Sequence, residues 1–195
     1  SCFRADAHGD RTDFIRRLRA GPTGAPGLMN SSAQNAPRIL IVGYGNPGRG
    51  DDAAGWLVAE DLEKRWSDRA EVLILHQLDI VVAEKLPQFD LVIFIDAEER
   101  ENPPGRSLAT LEPSPGTSDF THTLEPGTLL TLAKTLYDWE PEAYLITVYA
   151  KSFEFGDPPS DETQRDIERA VSEIEQFLSL RTTASSPSPT GRGLG

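Results

Sequence analysis

Cysteine is almost absent from this sequence, since Cys2 is the only one among 195 residues. A single thiol excludes an internal disulfide framework and a cluster of thiolate metal ligands. Long apolar runs are also missing: none approaches the roughly 20 residues that a membrane span needs, and the first residues lack the apolar segment of a signal peptide. These absences lead us to expect a cytoplasmic protein.

Basic residues are scarce as well. Lys and Arg total 19 against 31 Asp and Glu, which gives a formal net charge of −12 at pH 7. A chain of this charge is a poor candidate for binding nucleic acid or an anionic membrane through a broad surface. A protein or peptide partner stays possible, and we expect the chain itself to be a monomer.

Sequence able to form a core is confined to the middle of the chain. Residues 1–37 hold no sustained apolar period, and we predict a disordered or tag-like leader there. Residues 182–195 are mostly Thr, Ser, Pro and Gly, and we predict a disordered tail. The intervening residues 38–181 suffice for one domain with a substantial core.

Short apolar runs alternate with amphipathic segments throughout that domain. The predicted strands are 39–42, 72–75, 91–95, 107–111 and 143–149, and the predicted helices are 53–66, 80–86, one opening at 125–126, and 160–180. Most of these strands are continuously apolar, which indicates burial on both faces. We therefore predict an α/β fold, a three-layer sandwich with a twisted, mainly parallel sheet, whose site lies at the carboxyl ends of the strands.

A glycine-rich turn follows the first strand, and residues 43–48 fit the G-x-G-x-x-G pattern of dinucleotide-binding proteins. Two observations weaken a nucleotide site. Asp51 and Asp52 stand where a pyrophosphate would rest on the next helix, and the second strand ends in His76 rather than in the acid that binds a ribose. Nucleotide binding stays as the lesser alternative.

Three polar side chains fall where predicted strands or loops reach the same sheet edge. Asp52 follows strand one, Asp96 closes strand three, and His122 precedes a helix on a loop that could return to that edge. Two carboxylates and an imidazole suit an open site for a divalent transition metal such as zinc, nickel or cadmium. Taken singly, Asp52 is more often only a helix cap, Asp96 more often orders a turn, and a loop histidine such as His122 is usually a surface residue.

Four segments carry a family resemblance. GYGNPGRGDDAAG at 43–55 resembles the G-x-G-N-x-x-x-x-D-[DE]-x-x-G signature of the [NiFe]-hydrogenase maturation endopeptidases, and the similarity continues through 94–97, 122–130 and 152–156. It covers residues 38–180 in order. The resemblance implies a protease that removes a short C-terminal extension from a hydrogenase large-subunit precursor once nickel has been inserted, so that the nickel of the substrate is what the protease recognises.

The resemblance also implies roles for individual residues. The metal-binding positions of the family fall on Asp52, Asp96 and His122, and we expect Asp52 and Asp96 to be catalytic as well. Either the metal or a carboxylate could activate the water, and the sequence leaves that choice open. A noncatalytic nickel-sensing or assembly module of the same fold is the alternative from another functional class.

Substrate contacts are expected from three further residues. Arg49 in the glycine turn could orient a carboxylate, His76 ends the second strand, and Asn46 belongs to the signature turn. The chain departs from the family at Ala53, where a glycine is common, and at 76–78, where many relatives have Asp-Gly-Gly. These departures concern the identity of the substrate more than the class of reaction.

Overall fold

The alternation of apolar runs and amphipathic segments produces a mixed sheet with helices packed on it. The structure, a computed structural model, describes residues 36–100, 108–115 and 124–183, all within the second of the two units into which the chain divides, residues 35–195. Its strands are β1 (Ile39–Tyr44), β2 (Ala70–Leu75), β3 (Leu91–Glu99), β4 (Leu108–Thr110) and β5 (Glu142–Ala150). Its α-helices are α1 (Ala54–Trp66), α2 (Val81–Lys85), α3 (Pro126–Tyr137) and α4 (Asp161–Thr183).

The strands form one sheet in the order β2-β1-β3-β5-β4 among the described residues. β1, β2, β3 and β5 run parallel, and β4 pairs antiparallel with β5 at the edge. The chain leaves β1 for β2 on one side and later returns to place β3 on the other side. The topological switch point therefore lies between the carboxyl ends of β1 and β3, where ligand sites form in such sheets.

Both faces of the sheet are covered, as the continuous apolar strands require. On one face, buried residues of α1 and α4 pack with alternate residues of β1 and β3, among them Ile41 and Ile93. The intervening residues, such as Leu40 and Phe94, are equally buried and point to the face that carries α2 and α3. The predicted three-layer α/β fold is confirmed. None of the helices in the described ranges is long and apolar enough to cross a membrane.

The residues expected to begin three of the helices do so in the structure. Asp79 accepts a hydrogen bond from the Val81 amide (3.1 Å) at the start of α2, and Pro126 occupies the first turn of α3. The Ser160 hydroxyl accepts one from the Thr163 amide (3.3 Å) and caps α4.

Three boundaries differ from the sequence-based prediction. A 3₁₀ turn, Gly50–Ala53, precedes α1, and neither acid within it caps the helix with its side chain. β3 does not end at Asp96 but continues to Glu99, because β5 pairs with it residue by residue as far as Ala150. α4 reaches Thr183, two residues into the predicted tail. The rest of that tail and residues 1–35 of the predicted leader lie outside the described residues.

Candidate active site

The turn after β1 is built from glycines that let the chain pack against itself. A side chain on Gly45, whose φ is 143°, would meet the Asp52 carbonyl oxygen at 2.0 Å. One on Gly43 would meet the Gly55 oxygen at 2.3 Å, and one on Gly55 would meet the Tyr44 oxygen at 2.3 Å. The signature glycines thus bring the start of α1 directly onto the ends of β1 and β3. Their presence is explained without a bound phosphate, which weakens the nucleotide alternative further.

Asp52 lies at the end of this turn with its carboxylate held in one place. Its Oδ2 accepts a hydrogen bond from the Asn46 backbone amide at 3.2 Å, and the side chain is partly exposed. The Asn46 side chain is itself used within the turn, since its Oδ1 accepts a hydrogen bond from the Gly48 amide at 2.9 Å. Asp52 is therefore a fixed, accessible carboxylate at the switch point.

Asp96 reaches the same place from the neighbouring strand. β1 and β3 are paired so that Gly43 lies opposite Ile95, and the next residues, Tyr44 and Asp96, follow side by side. Burial raises the pKa of the Asp96 carboxyl to about 6, and the charges of Asp52 and Glu98 also raise it. The Tyr44 hydroxyl and the Ala97 amide lower that pKa, but by less than burial raises it. The structure thus brings the two predicted catalytic acids close enough to repel each other.

Tyr44 is a residue of this site that the sequence analysis missed. Burial raises the pKa of its phenol well above the usual value, and the negative charges of Asp96 and Glu125 act in the same direction. Its hydroxyl is buried close to the Asp96 carboxylate, whose pKa it lowers, but it makes no hydrogen bond of normal geometry among the described residues. The influence of Glu125 indicates that the N-terminal end of α3 lies near Tyr44. Tyr44 could have been found in the sequence as the aromatic residue between the two signature glycines.

His122, the third predicted metal ligand, lies outside the described residues, which resume at Leu124. Within the described ranges, no group of three His, Cys, Asp or Glu side chains is arranged to hold a metal ion. The structure brings two of the three predicted ligands, Asp52 and Asp96, close together. The contribution of His122 stays a prediction.

Asp51 has a structural role that differs from the role expected for its neighbour Asp52. It is 2% exposed, and its carboxylate accepts hydrogen bonds from the amides of Lys151 (2.8 Å), Ser152 (3.2 Å) and Ser160 (2.6 Å) and from the Ser160 hydroxyl (3.1 Å). Burial works to raise the pKa of the Asp51 carboxyl, but these hydrogen bonds outweigh it and hold the pKa below its usual value. Asp51 therefore does not cap α1; it ties the turn to the segment after β5.

That segment, the 151–160 loop, forms the rim beside the glycine turn. The Gly156 amide donates to the Gly48 carbonyl (2.9 Å), and Arg49 donates through Nε to the Phe153 carbonyl at 3.4 Å. Phe155 stands on this rim with 78% of its surface exposed. Arg49 is thus attached to the rim, with its guanidinium at the surface.

His76 follows β2 on the other side of the glycine turn. It is exposed and packs against Trp56 of α1, with ring centroids 4.9 Å apart and planes inclined by 47°. The described contacts of Asn46, Arg49 and His76 are internal to the protein, so their predicted contacts with substrate stay predictions.

In the comparison with known proteins, the matches come from solved structures. No model of a known protein family matches the chain, and a search of curated protein sequences also gives no match. The [NiFe] hydrogenase maturation protease HycI from Thermococcus kodakarensis KOD1 is 29% identical, with 76% of this chain and 97% of that chain covered and a TM-score of 0.58. A hydrogenase 2 maturation peptidase from Thaumarchaeota archaeon SCGC_AB-539-E09 is also 29% identical, covering 73% and 99%, with a TM-score of 0.53.

A third structure, the hydrogenase maturating endopeptidase HybD from E. coli, is 24% identical, with 73% of this chain and 93% of that chain covered and a TM-score of 0.53. At that identity the likeness supports the fold alone. The expectation drawn from the sequence motifs, that the chain resembles this group of proteins, is confirmed by the two structures at 29% identity.

Proposed function

We propose, on the premise that this chain belongs to the [NiFe]-hydrogenase maturation protease family, that it removes the C-terminal extension of a [NiFe]-hydrogenase large-subunit precursor after nickel insertion. The proteins it resembles are proteases, which supports hydrolysis of a peptide bond. The nickel of the precursor is the recognition element in this proposal, and it belongs to the substrate rather than to the protease.

One observation carries the proposal: two carboxylates, Asp52 from the turn after β1 and Asp96 from β3, lie close together at the switch point of the sheet. The Asp52 charge raises the pKa of Asp96. The two carboxylates therefore repel each other when no cation lies between them. A cation between the two carboxylates would relieve that repulsion. Two carboxylate oxygens and the imidazole of His122 form a donor set that accepts a borderline divalent ion such as nickel.

The two acids have different parts in the proposed reaction. Asp52 is anchored by the Asn46 amide, which suits it to a fixed position against the nickel centre of the precursor. Asp96, with a pKa of about 6, is ionised at neutral pH and near enough to its pKa to accept a proton from the attacking water, as a general base requires. A divalent metal, when bound, can polarise the scissile carbonyl or acidify that water.

The test is the mass of the precursor after incubation with the purified protein. We expect nickel-loaded precursor to lose its C-terminal extension and nickel-free precursor to keep it. Asp96→Asn should abolish the mass change, whereas Asp68→Asn removes an equal charge from a side chain that is 76% exposed and should have no effect. An unchanged mass with wild-type protein, in a precursor that another protease of this family processes, contradicts the proposal.

The same experiment tests the noncatalytic alternative. A nickel-sensing or assembly module would bind the nickel-loaded precursor and leave its mass unchanged. A nucleotide-binding protein would instead be stabilised against heat by a nucleotide and not by nickel or cadmium.

A further inference from the structure

The buried hydroxyl of Tyr44 is not explained by the stability of the fold. Within the described residues it has no hydrogen-bond partner, and a buried donor without a partner destabilises the folded state. Phenylalanine would fill the same space without that cost. Trp139 Nε1 and Arg169 Nη2 are unpartnered in the same way, but only Tyr44 of these three belongs to the candidate site.

Two carboxylates, those of Asp96 and Glu125, lie near enough to this hydroxyl to affect it. The parallel register that pairs Gly43 with Ile95 puts Tyr44 and Asp96 side by side and on the same face of the sheet. The charges of Asp96 and Glu125 both act on the phenol. The Tyr44 hydroxyl already interacts with the Asp96 carboxylate, whose pKa it lowers, but this contact falls outside normal hydrogen-bond geometry. A donor placed in this way can complete the bond once the carboxylate is fixed in position.

We propose that Tyr44 is a positioning residue, whose hydroxyl donates a hydrogen bond to the Asp96 carboxylate when the site engages nickel and thereby holds one oxygen so that the other faces the metal and the peptide. The inference rests on the proposed function, because engagement means contact with the nickel of the precursor. Tyr44 acts through Asp96 and does not touch the reacting atoms. Groups that orient a ligating carboxylate in this way commonly contribute a factor of about 10 to 100 in metal affinity or activity.

Tyr44→Phe tests the proposal, with Tyr144→Phe as the matched control. The Tyr144 hydroxyl lies on the same sheet but is bonded to Glu142 (2.6 Å) and Arg181 (2.7 Å). Three quantities are measured for both variants and the wild type: the urea midpoint of unfolding without metal, the Kd for nickel chloride by calorimetry, and the rate of precursor processing.

We expect Tyr44→Phe to unfold at about the same urea concentration as the wild type, because the hydroxyl makes no hydrogen bond of normal geometry in the metal-free protein and its effect on the Asp96 pKa is smaller than that of burial. Its Kd for nickel should rise about tenfold or more, and kcat/KM for processing should fall by a similar factor. Tyr144→Phe should show the reverse pattern, with lower stability and unchanged nickel binding and processing.

Two results overturn the proposal. One is a Tyr44→Phe variant that equals the wild type in both nickel binding and processing. The other is a variant whose losses are accompanied by a lower urea midpoint, because the hydroxyl would then have a structural partner. If the wild-type protein binds nickel but leaves the mass of the precursor unchanged, the proposed function fails, and Tyr44 is judged on the nickel affinities alone.

Discussion

Asparagine at position 96 should make the metal-free protein more stable, although it removes a residue that we place in the active site. Burial raises the pKa of the Asp96 carboxyl from 3.8 to about 6, so the folded state holds its proton more tightly than the unfolded state does. The contribution of the Asp96 carboxyl to the free energy of unfolding is therefore greatest at low pH, and it is lost as the pH rises from about 4 to 6. Above that window the ionised carboxylate costs about 3 kcal/mol, which Asp96→Asn removes.

The assay is urea unfolding at two pH values in the presence of a chelator. The variant should exceed the wild type by about 3 kcal/mol at pH 8 and by about 1.5 kcal/mol at pH 5, where the wild-type carboxyl is largely protonated in the folded state. Asp51→Asn is the opposite control. Hydrogen bonds hold the pKa of Asp51 below its usual value, so that variant should lose about 2 kcal/mol or more at pH 8.

The reasoning would be refuted by an Asp96→Asn variant less stable than the wild type at pH 8. A gain of the same size at both pH values would also refute it, because the gain would then come from packing rather than from the charge.

The remaining predictions concern activity and folding. Processing by the wild type should fall as the pH drops through about 6, since protonated Asp96 can neither accept a proton nor bind a metal; a rate that stays constant down to pH 5 would exclude it as the base. Asp52→Ala should abolish processing while the far-UV circular dichroism spectrum stays that of the wild type. His122→Ala should weaken nickel binding measured by calorimetry, and an unchanged Kd would remove His122 from the ligand set. Gly45→Ala should give little soluble protein on expression, because its Cβ would lie 2.0 Å from the Asp52 oxygen; normal yield and melting temperature would contradict that packing.

The arrangement of the sheet could be predicted from the sequence because its physical signals are local. Continuously apolar runs such as 39–42 indicate strands buried on both faces, and Pro126 and Ser160 mark helix starts by their own backbone and side-chain chemistry. The position of Asp52 and Asp96 at one sheet edge follows from parallel strands, since their carboxyl ends meet at a common edge.

The hydrogen bonds that tie Asp51 to the 151–160 loop could not be predicted from the sequence. Asp51 and Asp52 occupy the same strand-to-helix junction, and what separates them is the loop that closes over Asp51 from about 100 residues further along the chain. The extension of β3 through Glu98 and Glu99 was missed for a similar reason. Acidic residues are unfavourable in strands, but pairing with β5 outweighs that preference.

The roles proposed for Asp52 and Asp96 are tested most directly by anomalous diffraction from crystals soaked in nickel or cadmium. The account predicts one metal peak at the carboxyl ends of β1 and β3, within bonding distance of the carboxylates of Asp52 and Asp96 and with His122 as a further ligand. A peak bound by neither carboxylate, or a metal-free site in crystals whose protein binds the metal in solution, would contradict it.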